Sequence, residues 1–422
     1  MGITVLVCFL ISLAVVVSWL RDRADIFSPA RTFVLVWSVS IGLAGLKLSD
    51  YQATWSSYAW IVLSIGLASF LVGFWIVYAL HLGTPLLPVE EIRKRFSNST
   101  IDQRRLFRVI VVLFVGYLLC YIAEVQLEGY LPIFSAHPDR ARIEFGVFGL
   151  HLVVTTMPAI LFLIVEYITL IKGYAGRKVF FGIVFFVAFV SFFFLLQRFA
   201  FVVWILLTIP FLYYTSRIMK FKYVLFAGTV FLALLIYLES FRVAQYVQNY
   251  IYVISRMRYS GAYAVMTEPY MYVVMNLENF ARGVEKLDFF TWGLFSADFL
   301  MALTGLKHWL REYFSLVERP FLVSGYNTFP FLWQYYYDFG VVGVAMIPLL
   351  LGFLIGHIYC LVRSRPSLMI LSVYSTCFFF LVISFFTNAL TMLSTVFNMV
   401  LLVVIHIYVE KGSFIAKTST PM

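Results

Sequence analysis

The stretch Val179–Tyr214 is almost continuously apolar, and its one strongly polar pair, Gln197–Arg198, falls near its midpoint. As a single helix it would run ~54 Å at ~1.5 Å per residue, well beyond a bilayer core about 30 Å thick. It must therefore fold into two spans. Arg198 belongs at the turn, because a guanidinium is costly at the bilayer centre and tolerable at its interface. The pattern recurs along the chain. Apolar runs of about 20 residues centre on Ala14, Ser40, Leu67, Val115, Leu161, Val187, Leu206, Leu232, Ile347, Phe379 and Leu401. About eleven transmembrane helices are expected, in an all-α polytopic membrane protein. Composition agrees: the 422 residues are 62% hydrophobic and 12% charged, against about 25% charged in soluble domains. No globule of this size hides so much apolar surface from water. A cytosolic enzyme, a secreted disulfide scaffold and a disordered chain are all excluded.

Lysines and arginines set the orientation. One set of alternate loops holds about nineteen, including Arg93–Arg95, Arg104, Arg105, Arg177 and Lys178, whereas the opposite short loops hold about four: Lys47, Arg140, Arg142 and Arg198. The positive-inside rule then puts the N-terminus outside and the C-terminus in the cytoplasm. The net charge of +10 is thus mainly a topological signal, and nucleic acid is not a reasonable partner. Three segments follow: spans 1–8 in residues 1–238, a large outer loop at 239–328, and spans 9–11 with a cytoplasmic tail at 329–422. Within the loop, Glu268–Val284 reads as a helix with Pro269 in its first turn, and Leu300–Phe314 as an interfacial amphipathic helix. His81–Arg105 reads as a solvated cytoplasmic hairpin. Gly2–Leu20 lacks a basic n-region and a cleavage site, so it is expected to be a retained helix. Gly352 and Gly356 form a GxxxG suited to helix packing, within the chain or between chains.

Soluble-enzyme signatures are missing: no Walker loop, GxGxxG, HExxH or GxSxG occurs. Asp338–Phe339–Gly340 spells a kinase triplet without its partner motifs. Cys8, Cys120, Cys360 and Cys377 lie in apolar runs without CxxC spacing and read as packed thiols. His81, His151, His357 and His406 sit at or near span ends, where interfacial anchoring is expected. No metal site and no cofactor are read from the sequence.

What remains is arginine on the outer side, against the positive-inside trend. Arg242, Arg256 and Arg258 occupy an acid-free stretch of the long loop, Arg282 follows in its helix, and Arg140, Arg142 and Arg198 flank neighbouring spans. Guanidinium groups bind phosphate oxygens through paired hydrogen bonds, so a lipid phosphate or pyrophosphate is the natural anion; headgroup snorkelling is the alternative. Tyr272, Asn276, Tyr326 and Asn327, with Trp333 and Tyr335–Tyr337, offer apolar faces and hydrogen-bonding edges suited to sugar rings, or else an interfacial belt. Candidate proton-transfer groups are His308, Asp338 and Glu239. Asp338 could instead cap a helix starting at Phe339, and Glu239 could pair with Arg242 on one helix face.

With these residues in view, the chain resembles the Wzy-type O-antigen and oligosaccharide repeat-unit polymerases. Gly325–Gly343 (GYNTFPFLWQYYYDFGVVG) is similar to that family's Asn-Thr, aromatic and Asp-Phe-Gly pattern at the end of the large loop. Leu131–Phe145 (LPIFSAHPDRARIEF) resembles its Pro-Ile-Phe-Ser loop followed by Arg, Gln197–Arg198 its arginine between two central spans, and Tyr270–Leu277 its loop helix. The resemblance implies a GT-C-like plan in the bacterial inner membrane, with a structured periplasmic loop. It also implies metal-independent glycosyl transfer between undecaprenyl-pyrophosphate-linked oligosaccharides, with arginines holding the pyrophosphate leaving group and a chain-length regulator as a possible partner. An O-antigen ligase using the same donor, and a lipid-linked oligosaccharide flippase, are the competing expectations.

Overall fold

The computed structural model describes residues 2–21, 25–98, 101–171, 173, 175–217, 245–310 and 326–418, and among them it contains helices and no strand. Among the described residues, eight helices are long and apolar enough to cross a membrane. These include α1 (Gly2–Arg21), α3 (Ser57–Leu80), α5 (Gln103–Glu128), α9 (Ala175–Phe193) and α10 (Arg198–Thr215). Two further apolar helices, α2 (Pro29–Gly45) and Leu368–Ile383, are shorter. These ten account for the expected runs except the one centred on Leu232, which lies outside the described residues. A multi-pass protein in a lipid bilayer follows.

Local chemistry explains the helix ends. Asp102 accepts hydrogen bonds from the backbone N–H groups of Arg104 and Arg105 and starts α5; Gly129, at φ 77°, stops it in a left-handed conformation that glycine adopts without steric cost. Ser56 caps α3. The apolar stretch 179–214 breaks between Phe193 and Arg198, so Arg198 opens α10. The expected cytoplasmic hairpin contains a helix of its own, α4 (Val89–Ser97). The loop helix read at Glu268–Val284 spans Thr267–Lys286 and is here α12, after α11 (Gln245–Ile254). The amphipathic segment does not form one helix: Gly305 separates α13 (Asp298–Thr304) from α14 (Leu306–Trp309), and 311–325 lie outside the described residues.

The chain divides into two compact units. Unit 1 comprises Met1–Thr84, Lys220–Cys360 and Phe380–Leu393. Its core is aromatic: Phe33, Phe70, Phe331 and Phe380 meet ring to ring, and the indole N–H of Trp37 donates to Ser384 at 2.9 Å. Its tightest helix contact answers the GxxxG question. A Cβ on Gly352 would lie 2.1 Å from the Phe70 carbonyl, and one on Gly73 2.2 Å from that of Leu349. The glycines therefore bring α3 and α15 (Leu332–Ser364) together within one chain. Unit 2 comprises Pro85–Met219, Leu361–Phe379 and Ser394–Met422. It buries Tyr167, Phe181 and Phe211 completely, together with the hydrogen-bonded contact of Glu166 and His406 at 2.8 Å.

Candidate functional site

In unit 1 the turn after α2, residues 46–52, gathers positive charge. Ser49 and Met257 form an antiparallel bridge. The N–H of Arg258 donates to Leu48 O at 2.8 Å, and that of Asp50 to Arg256 O at 3.0 Å. This pairing brings Arg256 and Arg258, two of the three arginines of the acid-free stretch, onto the turn. Arg256 lies over the Tyr51 ring at 5.3 Å, Arg282 of α12 reaches Tyr51 O at 3.5 Å, and Arg258 meets the Asp50 carboxylate at 2.6 Å. Lys47 is nearly buried; it pairs with Glu278 of α12 and sits 5.0 Å from the Trp55 ring centre. Burial raises the Glu278 carboxyl above its ordinary range even though Lys47 pulls it down. Lys47 (φ 51°) and Arg256 (φ 47°) both hold left-handed backbone, a strain of about 1–3 kcal/mol each that is typical of functional sites. A cavity of about 190 Å³ opens beside them, lined by Thr4, Ile41, Lys47, Thr54, Trp55 and Trp60.

The other side of α12 gathers the residues that the sequence reading offered to a sugar. Tyr270, Glu278 and Arg282 recur at helical spacing toward the turn, whereas Tyr272, Asn276 and Asn279 face the chain leading into α15. The Asn279 amide donates to the carbonyls of Tyr326 at 2.8 Å and Thr328 at 3.1 Å. Thr328 donates its hydroxyl to the Asn276 side-chain carbonyl, and the Asn276 amide donates to Tyr272 O. Tyr272 and Tyr326 rings meet edge to face at 5.4 Å. Asn327 alone of this strap is exposed. Tyr272, Asn276, Tyr326 and Asn327 are thus brought together. The remaining aromatics of the motif are not: Trp333 and Tyr335–Tyr337 are buried core residues, because the first turns of α15 pack them inward.

No family model, curated protein or solved structure matches the chain. The site therefore rests on its own geometry.

Unit 2 carries the other arginines. Arg140 and Arg142 lie on α6 (Pro138–Glu144), Arg140 exposed and Arg142 half-buried, with a buried Nε that makes no hydrogen bond among the described residues. Two hydrogen bonds tie their loop to the turn before Arg198. Ile133 N–H donates to Phe194 O at 3.2 Å, and the Gln197 amide contacts His151 Nε2 at 3.1 Å. The turn is strained at Leu196, φ 59°. His151, on α7 (Leu150–Val154), turns its Nδ1 to the Glu124 carboxylate at 3.0 Å. That carboxylate is fully buried and also accepts Val147 N–H at 2.8 Å.

The candidate proton-transfer residues fare differently. Asp338 is fully buried, accepts the N–H groups of Phe295 at 3.1 Å and Ser296 at 2.6 Å, and receives the Thr291 hydroxyl. It does not cap a helix at Phe339: α15 has already begun at Leu332 and breaks at Gly340, φ 59°. Its carboxylate instead fastens the turn that precedes α13. The backbone of His308 lies in α14, its side chain outside the described atoms, and Glu239 and Arg242 lie outside the described residues. Sequence reasoning missed Lys47, counted only as a loop charge, and the Glu124–His151 contact. His151 and His406 were expected as interfacial anchors; each instead meets a buried glutamate. Glutamates inside apolar runs were the available signal, since buried carboxylates require a partner.

Proposed function

We propose that this protein is a Wzy-type polymerase of the bacterial inner membrane, eleven-spanning and GT-C-like, with a periplasmic N-terminus and a cytoplasmic C-terminus. It joins undecaprenyl-pyrophosphate-linked oligosaccharide repeat units at the periplasmic face. The observation that supports this most is the division of labour on α12. One side gathers Lys47, Arg256, Arg258 and Arg282 on a strained turn, and the other carries Tyr272, Asn276, Tyr326 and Asn327.

Each side suits part of such a substrate. The Arg258–Asp50 pair is about half exposed, and exposed pairs contribute only about 0–1 kcal/mol, so a doubly charged phosphate competes well for the guanidinium. The neighbouring apolar cavity with Trp55 and Trp60 accepts the first prenyl units of the lipid. Unit 2 carries its own set of cations, Arg198, Arg140 and Arg142, which in their own right suit a lipid-linked pyrophosphate whose charge grows as a glycosidic bond breaks. Tyr272 and Asn327 offer a ring face and an amide to a sugar, and Asp338 acts as a positioning residue for the turn before α13. The reaction is a direct displacement: the acceptor hydroxyl oxygen bonds the anomeric carbon, inverting it, and the pyrophosphate leaves with the bonding electron pair.

The test is reconstitution. Purified protein in lipid nanodiscs, given lipid-pyrophosphate-linked repeat units, is expected to produce a ladder and to release one undecaprenyl pyrophosphate per bond formed. In cells, deletion is expected to leave lipopolysaccharide capped with a single repeat. Bare core would identify a ligase, and the absence of a ladder would overturn the polymerase.

A further inference from the structure

The contact between Glu124 and His151 has the geometry of an oriented base, and three separate features maintain it. Glu124, fully buried at the end of α5, accepts Nδ1–H of the imidazole at 3.0 Å and Val147 N–H at 2.8 Å. This fixes the tautomer: Nδ1 carries the proton and Nε2 is left as an acceptor. The Gln197 amide fills that position at 3.1 Å. A neutral nitrogen receiving an N–H at that distance equally receives a sugar hydroxyl when the glutamine side chain swings aside. Gly146 supplies the third feature. Its φ is 142°, and a Cβ there would lie 3.0 Å from the imidazole ring, so the loop closes on His151 only because that residue is glycine. The imidazole is nonetheless reachable, with 26% of its side chain exposed. A histidine that only filled space would need neither a buried carboxylate on one nitrogen nor an amide donor on the other.

We infer that His151, oriented by Glu124, is the general base of the proposed transfer, an inference that rests on the polymerase reading. The acceptor hydroxyl gives its proton to His151 Nε2 as its oxygen bonds the anomeric carbon. The bond from that carbon to the pyrophosphate oxygen breaks, and the pyrophosphate keeps the electron pair. The imidazolium formed is stabilised by the Glu124 carboxylate and returns its proton to solvent before the next cycle. Glu124 acts through His151 as a positioning residue.

The experiment uses the full-length protein in nanodiscs with the same lipid-linked repeat units. In His151→Asn the side-chain amide still donates to Glu124 and keeps the packing, but no base remains. Extension is expected to fall about 100-fold or more, with an unchanged thermal midpoint and donor KM. The smaller His151→Ala leaves room for added imidazole, which is expected to restore extension about tenfold. Glu124→Gln is expected to slow extension and to gain nothing from imidazole. Extension by His151→Asn within about threefold of wild type overturns the assignment, as does a His151→Ala variant that imidazole fails to rescue. A wild-type protein that makes no ladder overturns the polymerase reading itself.

Discussion

Replacing Asn279 by alanine tests whether the strap at 326–328 is held from α12. The amide donates to two backbone carbonyls, Tyr326 O and Thr328 O, and both lose their donor at once. A buried acceptor left unpaired costs about 1–3 kcal/mol. Tyr326 is buried and Thr328 only half-buried, so the two together come to about 2–4 kcal/mol, less ~0.5 kcal/mol for alanine's better helix propensity. At about 1.4 kcal/mol per tenfold, local opening should become about 10- to 300-fold more frequent. Hydrogen exchange of peptides covering 326–332, followed by mass spectrometry in nanodiscs, reads this directly. The effect should stay local, because α12 keeps its contacts with the turn at 46–52 through Tyr270 and Glu278. Chain extension should fall as Asn327 loses its fixed presentation. Unchanged exchange in the strap would refute the reasoning, and equal acceleration throughout α12 would show that Asn279 serves general stability instead.

Four other outcomes follow. Arg198→Ala and Arg258→Ala should each abolish chain extension at normal protein level; wild-type polymer length on a banding gel from both variants would remove the pyrophosphate role. Gly352→Leu places a side chain against the Phe70 carbonyl and should cost at least about 1–3 kcal/mol, seen as a lower thermal midpoint in detergent. Gly116→Leu, where a Cβ meets nothing within 4 Å, should cost far less. Because burial raises the folded-state pKa of Glu278 above its unfolded value, the fold holds the proton more tightly than the unfolded chain. Its contribution is fully present below the unfolded value and is lost as pH rises through the folded one. The thermal midpoint should therefore decline less steeply with rising pH in Glu278→Gln than in wild type, and parallel curves would contradict this. Extension should survive EDTA, since the sequence shows no metal-ligand spacing; inhibition reversed by added metal would overturn that.

What could be read from the sequence divides by the range of the interaction involved. Helix length and the break at Arg198 are local consequences of apolar run length, and they stand in the structure where the run predicts them. The clustering of Tyr272, Asn276, Tyr326 and Asn327 was also legible in part, because they fall in two pairs, each within about one helical turn, and the strap leads directly into a span. The glycine pair at 352 and 356 gave the means of packing but not the partner, since α3 is supplied from nearly three hundred residues earlier. Lys47 and the His151 dyad were illegible for the same reason. Lys47 acquires Glu278 only when α12 folds over the turn, and Glu124 acquires His151 only when the loop at 145–149 closes on it.

Burial is what distinguishes these late pairings from the surface charges that sequence reading handles well. An exposed arginine announces itself by count and side, as Arg140 does. A carboxylate at zero exposure must instead find its donors in the fold, and it narrows the chemistry there by fixing which atom of the partner is free. In Glu124–His151 the atom left as an acceptor is Nε2, met by the partly exposed Gln197 amide, and in the Asp338 turn both carboxylate oxygens are engaged by backbone or hydroxyl donors. Two buried acids of similar appearance in the sequence therefore separate physically. One leaves a base accessible on its partner, and the other is saturated, so proton transfer belongs to the first and loop position to the second.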